Sequence, residues 1–447
     1  MPHRPSVFIE TYGCQMNQYD TQLVKGILSG DGCRLAADPE DADVVLINTC
    51  SVRDHAEQRV MGRIGALAAW KRKSAGRRIG VIGCMAQRLG EDILRRKPFV
   101  DFVIGPDGYR KLPEWIGRPD KGTITALDAE ETYQGLFPER DASVSAPVAI
   151  MRGCDNACSY CIVPFTRGRE RSRNLSGILD EIEALVQSGV KEAVLLGQNV
   201  NSYRSGAYDF PDLLRAVSRV EGLLRIRFMT SHPKDLSDRL IEVMATEPKV
   251  CPHIHLPVQS GSDRVLGLMN RGYTAAGYLR LIDKARRTIT GLGLSTDVMV
   301  GFPSETEAEF RETYDLVESV RYDEAYTYHF SPREGTPAAG MPGQIQDDEK
   351  LDRLDRLIKL QRRITLEAKR ALVGGVEEVI PESPNRHAED EWMGRTPANH
   401  IVVFPKNGAV AGRPVMVTIA SCRRATLRGK TIKTESPSII KRRKPCG

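Results

Sequence analysis

The densest chemistry in the sequence is the run Cys154-Asp155-Asn156-Ala157-Cys158-Ser159-Tyr160-Cys161, a CxxxCxxC spacing. Three thiolates on one tight loop suit three irons of a [4Fe–4S] cube and leave the fourth iron open to a non-protein ligand. A structural zinc would take a fourth Cys or His close by, and the following Ile162-Val163-Pro164-Phe165-Thr166 offers neither. Three more cysteines, Cys14, Cys50 and Cys84, are far apart in the chain but share a context. Each sits at the C-terminal edge of a short β-rich run, as Gly13-Cys14, Thr49-Cys50 and Gly83-Cys84. Open parallel sheets bind ligands at the carboxyl ends of their strands, so these thiols are expected to converge in one crevice. Of the remaining cysteines, Cys33 lies by a Gly30-Asp31-Gly32 turn, and Cys251, Cys422 and Cys446 have no partner spacing and read as incidental. His232, His253 and His255 read as hydrogen-bonded strand-end histidines rather than ligands.

The elements that must position these residues fall into three blocks. From Ser6 to about Ile116, β-rich runs at Val7–Thr11, Val44–Thr49, Ile79–Gly83 and Phe102–Gly105 alternate with helical stretches such as Ala56–Trp70, which predicts a parallel α/β domain over residues 1–118. Residues 119–145 read as a linker or exposed crossing segment. A second alternating block over 146–373 places strands at Val148–Arg152, Ala193–Gly197, Ile226–Thr230, His253–Val258, Leu294–Val300 and Glu324–Phe330, with helices such as Leu175–Gln187 and Ala275–Arg287 between them. Six such units predict a partial (β/α)6 barrel with its site at the C-terminal strand ends. A charged amphipathic helix with Leu351, Leu354, Leu357, Ile358 and Ile364 on one stripe is expected to pack along it. Past Gly374-Gly375 the pattern becomes Val-rich alternation at Val376–Ile380, His400–Phe404, Val415–Ile419 and Thr426–Ile432. A small five-stranded β-barrel over 374–436 is expected, of a kind that often binds nucleic acid, followed by a basic tail at 437–447.

Composition bounds the class. The 447 residues are 41% hydrophobic and 27% charged with a net charge of +6, which excludes wholesale disorder and a coiled-coil or collagenous chain. Lys and Arg accumulate from Arg413 onward against the single acid Glu435, so a polyanion-facing surface is expected there, a solvated basic tail being the plain alternative. No secretory leader or membrane span is legible, which places the chain in the cytoplasm, where thiols stay reduced.

Beyond the triad, Met151-Arg152-Gly153-Cys154 and Pro164-Phe165-Thr166-Arg167-Gly168-Arg169-Glu170-Arg171-Ser172-Arg173 resemble the methylthiotransferase branch of the radical S-adenosylmethionine (SAM) superfamily. The stretches Thr11–Asn17, Asn48–Arg53 and Gly83–Gln87 match the branch's N-terminal cysteine motifs, and the C-terminal β unit resembles its TRAM domain. The resemblance covers residues 6 to 434. It implies a SAM-binding cluster on Cys154, Cys158 and Cys161 and a second, auxiliary [4Fe–4S] cluster on Cys14, Cys50 and Cys84. Two SAM molecules are implied, one methylating a sulfide held on the auxiliary cluster and one supplying a 5′-deoxyadenosyl radical. It also implies SAM contacts at Gln198 and Asn199, an ordinary polar strand-to-helix loop being the alternative, with Asp297 facing a ribose hydroxyl or the substrate, Gln259 and Ser260 placed similarly after the fourth strand, and Arg167 and Arg169 facing the SAM carboxylate, tRNA phosphate or solvent. The runs Ser51-Val52-Arg53, Leu196–Tyr203 and His255–Ser262 resemble the MiaB-type members. Those methylthiolate carbon 2 of N6-isopentenyladenosine at position 37 of tRNA; relatives act on threonylcarbamoyl-adenosine or a ribosomal-protein aspartate. A non-catalytic iron–sulfur carrier or RNA-binding scaffold is the reading of another class. Within Gly394–His400, similar to a TRAM stretch that touches RNA but with Pro397 and Ala398 where Arg and Thr are more usual, Arg395 and Asn399 are expected to contact tRNA, joined by Arg423, Arg424, Arg428 and Lys430. The implied partners are the anticodon stem-loop, an electron donor such as flavodoxin or ferredoxin, and iron–sulfur assembly proteins; a monomer is expected.

Overall fold

The computed structural model describes residues 4–51 and 54–432. Val52 and Arg53 of the second N-terminal motif, the tail 437–447 and Cys446 lie outside the described residues. The chain begins with six parallel strands, β1 (Ser6–Thr11), β2 (Arg34–Leu35), β3 (Val44–Thr49), β4 (Arg78–Gly83), β5 (Phe102–Ile104) and β6 (Gly122–Ile124), in the order β2-β1-β3-β4-β5-β6. Strand β3, Val-Val-Leu-Ile-Asn-Thr, is buried along its whole length, as a central parallel strand covered on both faces must be. The order reverses direction between β1 and β3, and such a switch point opens a crevice beyond the strand ends. Cys14 and Cys50 follow β1 and β3, and Cys84 follows the adjacent β4.

The stretch read as a linker is built into this unit instead. Residues 122–124 add β6, and Tyr133 is buried and stacked on Tyr109 with its hydroxyl donating to Pro106 O at 2.6 Å. The aromatic ring and an edge strand supply the burial that Gly, Pro and acids disguise in the local pattern.

The central unit carries β7 (Ser145–Ala149), β8 (Met151–Arg152), β9 (Arg171–Ser172), β10 (Glu192–Leu196), the short hairpin β11 (Arg204–Ser205) and β12 (Tyr208–Asp209), then β13 (Arg225–Phe228), β14 (His253–His255), β15 (Gly293–Val300) and β16 (Glu324–His329). Six of these are parallel, in two three-stranded sheets, β13-β10-β7 and β14-β15-β16, with an isolated parallel bridge from Ile226 to Val250 between them. The first barrel strand ends earlier than expected, at Ala149. Met151-Arg152 turns away to pair antiparallel with β9, a departure that carries the Arg152 side chain toward the N-terminal unit.

Helix Asp347–Ala371 packs on this unit through Leu357, Leu360 and Ile364. Leu351, expected on its apolar stripe, is exposed, because the first turns meet the buried carboxylate of Glu305; Arg353 occupies that position and pairs with it at 2.9 Å. The C-terminal unit is strand-rich, with β17 (Val376–Asn385), β18 (Ala388–Arg395), β19 (Ile401–Pro405), β20 (Val415–Arg423) and β21 (Thr426–Thr431) paired in the ring β17-β18-β19-β21-β20 around Val379, Val402, Phe404, Val417, Ile419 and Leu427. Among the described residues no helix is long and apolar enough to cross a membrane.

Candidate iron–sulfur site

The N-terminal triad is assembled by close approach of strand ends. Gly83, before Cys84, has φ +94°, and a Cβ there would stand 2.5 Å from both Asn48 Oδ1 and Thr49 O. Gly13, before Cys14, has φ +128°, and its Cβ would meet the Cys50 Cβ at 2.5 Å. Only glycine takes such backbone angles without strain and lets the neighbouring chains come this near. Asn48 and Asn17 then lock the crevice floor. Asn48 Nδ2 donates to Asn17 O and Thr21 Oγ1 at 2.8 and 2.9 Å, and Asn17 Nδ2 donates to Thr49 O at 2.7 Å.

Cys14 is exposed while Cys50 and Cys84 are buried. The adjacent Cys50 thiol, helped by the Arg167 charge, holds the Cys14 pKa below the ordinary thiol value, against the desolvation of its sulfur by surrounding protein. Burial raises Cys84, and Arg167 works against that rise.

The second triad sits on the loop after β8. Cys154 N donates to Gly168 O at 3.1 Å and Cys161 N to Cys158 O at 3.0 Å. Ser159 Oγ donates to Leu268 O at 2.7 Å and Asn270 Nδ2 to Ala157 O at 2.8 Å, which ties the loop to the segment after helix Asp263–Leu268. Arg271 from that segment, buried, donates from Nη1 to the Cys158 sulfur at 3.3 Å. Burial pushes Cys161 up to about 12 and raises Cys154. Thiols so placed give up their protons to a strongly cationic occupant, since metal binding and deprotonation are linked.

Among the described residues no three His, Cys, Asp or Glu side chains gather closely enough to ligate one ion. All six residues are thiols, the donor type that holds the irons of a [4Fe–4S] cluster, one thiolate to an iron.

Helix Val163–Arg167, directly after the CxxxCxxC loop, packs on helix Cys84–Leu89. Arg167 was expected to face SAM, phosphate or solvent; it is buried at the junction and donates from Nη2 to Asp20 Oδ2 at 2.7 Å. Arg152 Nη2 donates to the other oxygen of Asp20, also at 2.7 Å, with its guanidinium over the Tyr133 ring. Burial raises the Asp20 pKa, but the Arg167 and Arg152 charges outweigh it and hold the carboxyl below its ordinary range. Arg171 pairs with Asp107 at 2.9 Å, and Arg173 and Arg140 share Glu181 at 2.6 and 2.5 Å. Arg169 is exposed and pairs with Asp155 of the loop at 2.6 Å.

The other expected contacts divide. Gln198 Oε1 and Asn199 Oδ1 are buried without a partner, whereas Asn199 Nδ2 donates to Asp235 at 2.7 Å. Gln259 has φ +66° and bridges Val298. Ser260 is fully buried and its hydroxyl is engaged with Thr313 Oγ1 at 3.1 Å, so it serves packing against helix Glu307–Val320 rather than a ligand. Asp297 is half-buried with Oδ2 at 3.4 Å from His255 Nε2. His255 and His253 flank the Ser295 hydroxyl at 3.0 and 3.3 Å, and burial lowers the pKa of His253 and of His232 to about 3, so all three histidines are hydrogen-bonded or buried structural groups. Cys251 is buried beside Arg227 at the N-terminal end of the strands.

The stretch Gly394–His400 is turned inward. Arg225 Nη1 donates to Arg395 O at 2.6 Å, Arg227 donates to Thr396 O and Pro397 O at 2.7 and 2.9 Å, and Ala398 O abuts Gly293. Arg395 pairs with Glu382 at 2.5 Å, and Asn399 takes φ +72° in the turn. These residues dock the β unit onto the N-terminal ends of the barrel strands, because the carbonyls of a tight turn are natural acceptors for the two strand-end arginines. Arg423, Arg424 and Lys430 are exposed, and Arg428 pairs with Glu391. Sequence reasoning missed Asp20, Asp107 and Arg271. The one legible signal is the polar set Asn17, Asp20 and Thr21 at helical spacing beside Leu23, Val24 and Leu28.

Residues 6–105 match the "Uncharacterized protein family UPF0004" and residues 148–317 the "Radical SAM superfamily". The chain is 46% identical over 432 residues to a tRNA-2-methylthio-N(6)-dimethylallyladenosine synthase of Chloroherpeton thalassium, covering 95% of this chain and 96% of that one. It is 44% identical over 441 residues to the synthase of Porphyromonas gingivalis, covering 96% and 95%. Among solved structures, the radical S-adenosylmethionine methyltransferase TsrM of Kitasatospora setae, with cobalamin and a [4Fe-4S] cluster bound, superposes with a TM-score of 0.59 at 13% identity over 75% of this chain and 74% of that one, a likeness of fold.

Proposed function

This chain belongs to the family of the tRNA-2-methylthio-N(6)-dimethylallyladenosine synthases, and from that premise we propose that it methylthiolates carbon 2 of N6-isopentenyladenosine at position 37 of tRNA. It is a radical-SAM enzyme of two [4Fe–4S] clusters and SAM. The observation that supports the reading is the packing of helix Val163–Arg167, which follows the CxxxCxxC loop, on helix Cys84–Leu89, with Arg167 of the first paired to Asp20 of the N-terminal unit. Adenine carbon 2 is unactivated toward proton chemistry; when bound, SAM and the clusters supply radical hydrogen abstraction and the sulfur to be transferred.

The protein's own residues do the positioning. Cys154, Cys158 and Cys161 hold the SAM-binding cluster, with Arg271 donating to the Cys158 sulfur. Cys14, Cys50 and Cys84 hold the auxiliary one. The unpartnered oxygens of Gln198 and Asn199 are acceptors suited to the SAM ammonium, and the half-buried Asp297 suits a hydroxyl of SAM or of the substrate. Arg169, exposed at the rim, and Arg423, Arg424 and Lys430 on the β unit suit phosphates of the anticodon stem-loop, which fix position while an unstacked base enters the site. The strand-rich unit is assigned as a TRAM domain, the enzyme as cytoplasmic, and its electrons as coming from a flavodoxin or ferredoxin.

The test has two parts. Reconstituted protein is expected to bind about eight iron atoms and the Cys14→Ala/Cys50→Ala/Cys84→Ala variant about four. Nucleoside analysis of tRNA from cells lacking the protein is expected to show N6-isopentenyladenosine in place of its 2-methylthio derivative. An unchanged nucleoside profile would remove the substrate assignment.

A further inference from the structure

Arg167 is more than a member of the interdomain ion pairs. Its Nη2 is spent on Asp20, and its Nη1 is buried with no partner in the protein; Arg152 Nη1 is unpartnered too, but that guanidinium lies over the Tyr133 ring. A buried guanidinium N–H left unpaired costs free energy, so a native structure that keeps one usually has an acceptor for it that is not part of the chain. The surroundings identify the direction. The Arg167 charge acts on the Cys84 and Cys14 thiols, lowering the pKa of each. The helix that ends in Arg167 packs on the helix that starts at Cys84. Asp20 holds the guanidinium from behind and is itself fixed by Arg152, so the Arg167 fork has little freedom to swing away.

We propose that Arg167, supplied by the barrel, is a positioning residue for the auxiliary cluster, donating from Nη1 to the cluster's sulfur and placing a fixed positive charge beside it. This rests on the assignment of Cys14, Cys50 and Cys84 to a [4Fe–4S] cluster. A cation and an N–H donor next to a cluster favour its more negative, reduced form, so they raise its reduction potential. Because Arg167 follows Cys161 by only six residues, the same side chain keeps the auxiliary cluster in register with the SAM-binding loop.

The experiment uses full-length protein carrying Cys154→Ala, Cys158→Ala and Cys161→Ala, so that the auxiliary cluster alone is read. Iron content and the potential from redox titration followed by electron paramagnetic resonance are compared in this background and with Arg167→Gln, Arg167→Lys and Arg152→Gln added. Arg152 is the other arm of the Asp20 ion pairs and serves as the control for a merely structural latch. The expected result is about four irons throughout, a lowered potential in Arg167→Gln, a smaller change in Arg167→Lys and none in Arg152→Gln. An unshifted potential in Arg167→Gln, or equal shifts in Arg167→Gln and Arg152→Gln, overturns the proposal. If Arg167→Gln takes up no iron, Arg167→Lys decides: a potential changed from the parent supports the proposal, and an unchanged potential or loss of iron there as well as in Arg152→Gln overturns it. Absence of iron from the parent background sinks the two-cluster assignment instead, a separate outcome.

Discussion

Asp20→Asn is the most informative single change at the junction of the two cysteine-bearing units. The carboxylate is fully buried and pairs with two guanidiniums at 2.7 Å each, offsetting one of their two charges, neither with appreciable access to water. An amide of the same shape keeps one acceptor oxygen but no charge, and its NH2 group faces the second guanidinium. Two buried cations are then left facing each other. Breaking a buried ion pair on one side costs about 3 to 5 kcal/mol. For a cooperative unit of about 150 to 250 residues, 1 kcal/mol moves the melting point by roughly 2 to 4 °C, so a fall of about 6 to 20 °C is expected. The assay is thermal and urea unfolding of the metal-free protein, with limited proteolysis of the 125–140 crossing segment as a probe of undocking. The pH dependence carries a sign. Asp20 has a lowered pKa in the folded protein, so its contribution is complete above the unfolded carboxyl value of about 4 and is lost as pH falls below it. The gap between parent and variant must therefore narrow in acid. A loss of less than about 1 kcal/mol at pH 7, or a gap that widens on acidification, would refute the assignment of these charges to holding the units together.

Gly83→Ala places a Cβ 2.5 Å from Asn48 Oδ1 and Thr49 O at φ +94°, and about 2 to 5 kcal/mol of strain and overpacking is expected, with iron content falling from about eight toward about four in colorimetric assay. His253 is held neutral by burial, its pKa lowered to about 3, so below pH 6.5 the unfolded chain takes up a proton that the folded one refuses; stability declines by up to about 1.4 kcal/mol per pH unit, and denaturation of His253→Asn across pH 5 to 7 is expected to lack that component. Combined Arg423→Ala, Arg424→Ala and Lys430→Ala is expected to weaken tRNA binding and to flatten the dependence of log K on log salt by about 0.7 to 0.9 for each phosphate no longer neutralised, while Arg395→Ala leaves the slope unchanged, because that side chain is spent on Glu382. Removing residues 374–447 is expected to weaken tRNA binding in a salt-dependent way with both clusters kept.

What the sequence discloses and what it hides follow one physical division. The placement of Cys14, Cys50 and Cys84 at strand ends was legible because it is written in short windows around each cysteine, as is the local spacing of Cys154, Cys158 and Cys161. The alternation of strands was legible for the same reason, since β3 and β4 are continuous apolar runs. The partners of the arginines were not. Arg152, Arg167, Arg171 and Arg173 look like a solvated basic run, and only the folded chain shows that Asp20 and Asp107 meet the first three across 64 to 147 residues of sequence and that Glu181 meets Arg173 from eight residues on. The same holds for Gly394–His400. Its turn chemistry is visible in the residues, but whether its carbonyls face RNA or Arg225 and Arg227 is decided by where strand β13 begins.

This division explains why so much charge is buried at one seam. Two clusters that cooperate must keep a fixed separation, and apolar contact alone tolerates sliding, because hydrophobic burial is non-directional. Bidentate and charge-assisted hydrogen bonds have geometry as well as strength. A seam built from Asp20 and Asp107 against Arg152, Arg167 and Arg171, with Arg140 reaching Glu181, therefore admits one register of the N-terminal sheet on the central unit, at a desolvation cost that a packing surface would not carry. The residues that set this register flank the CxxxCxxC loop on both sides, Arg152 before it and Arg167 and Arg171 after it, so a displacement of that loop is transmitted directly to Asp20 and the Cys84 helix. Stability measured on Asp20→Asn and potential measured on Arg167→Gln thus read two properties of one seam, its strength and its field, and the two need not change together.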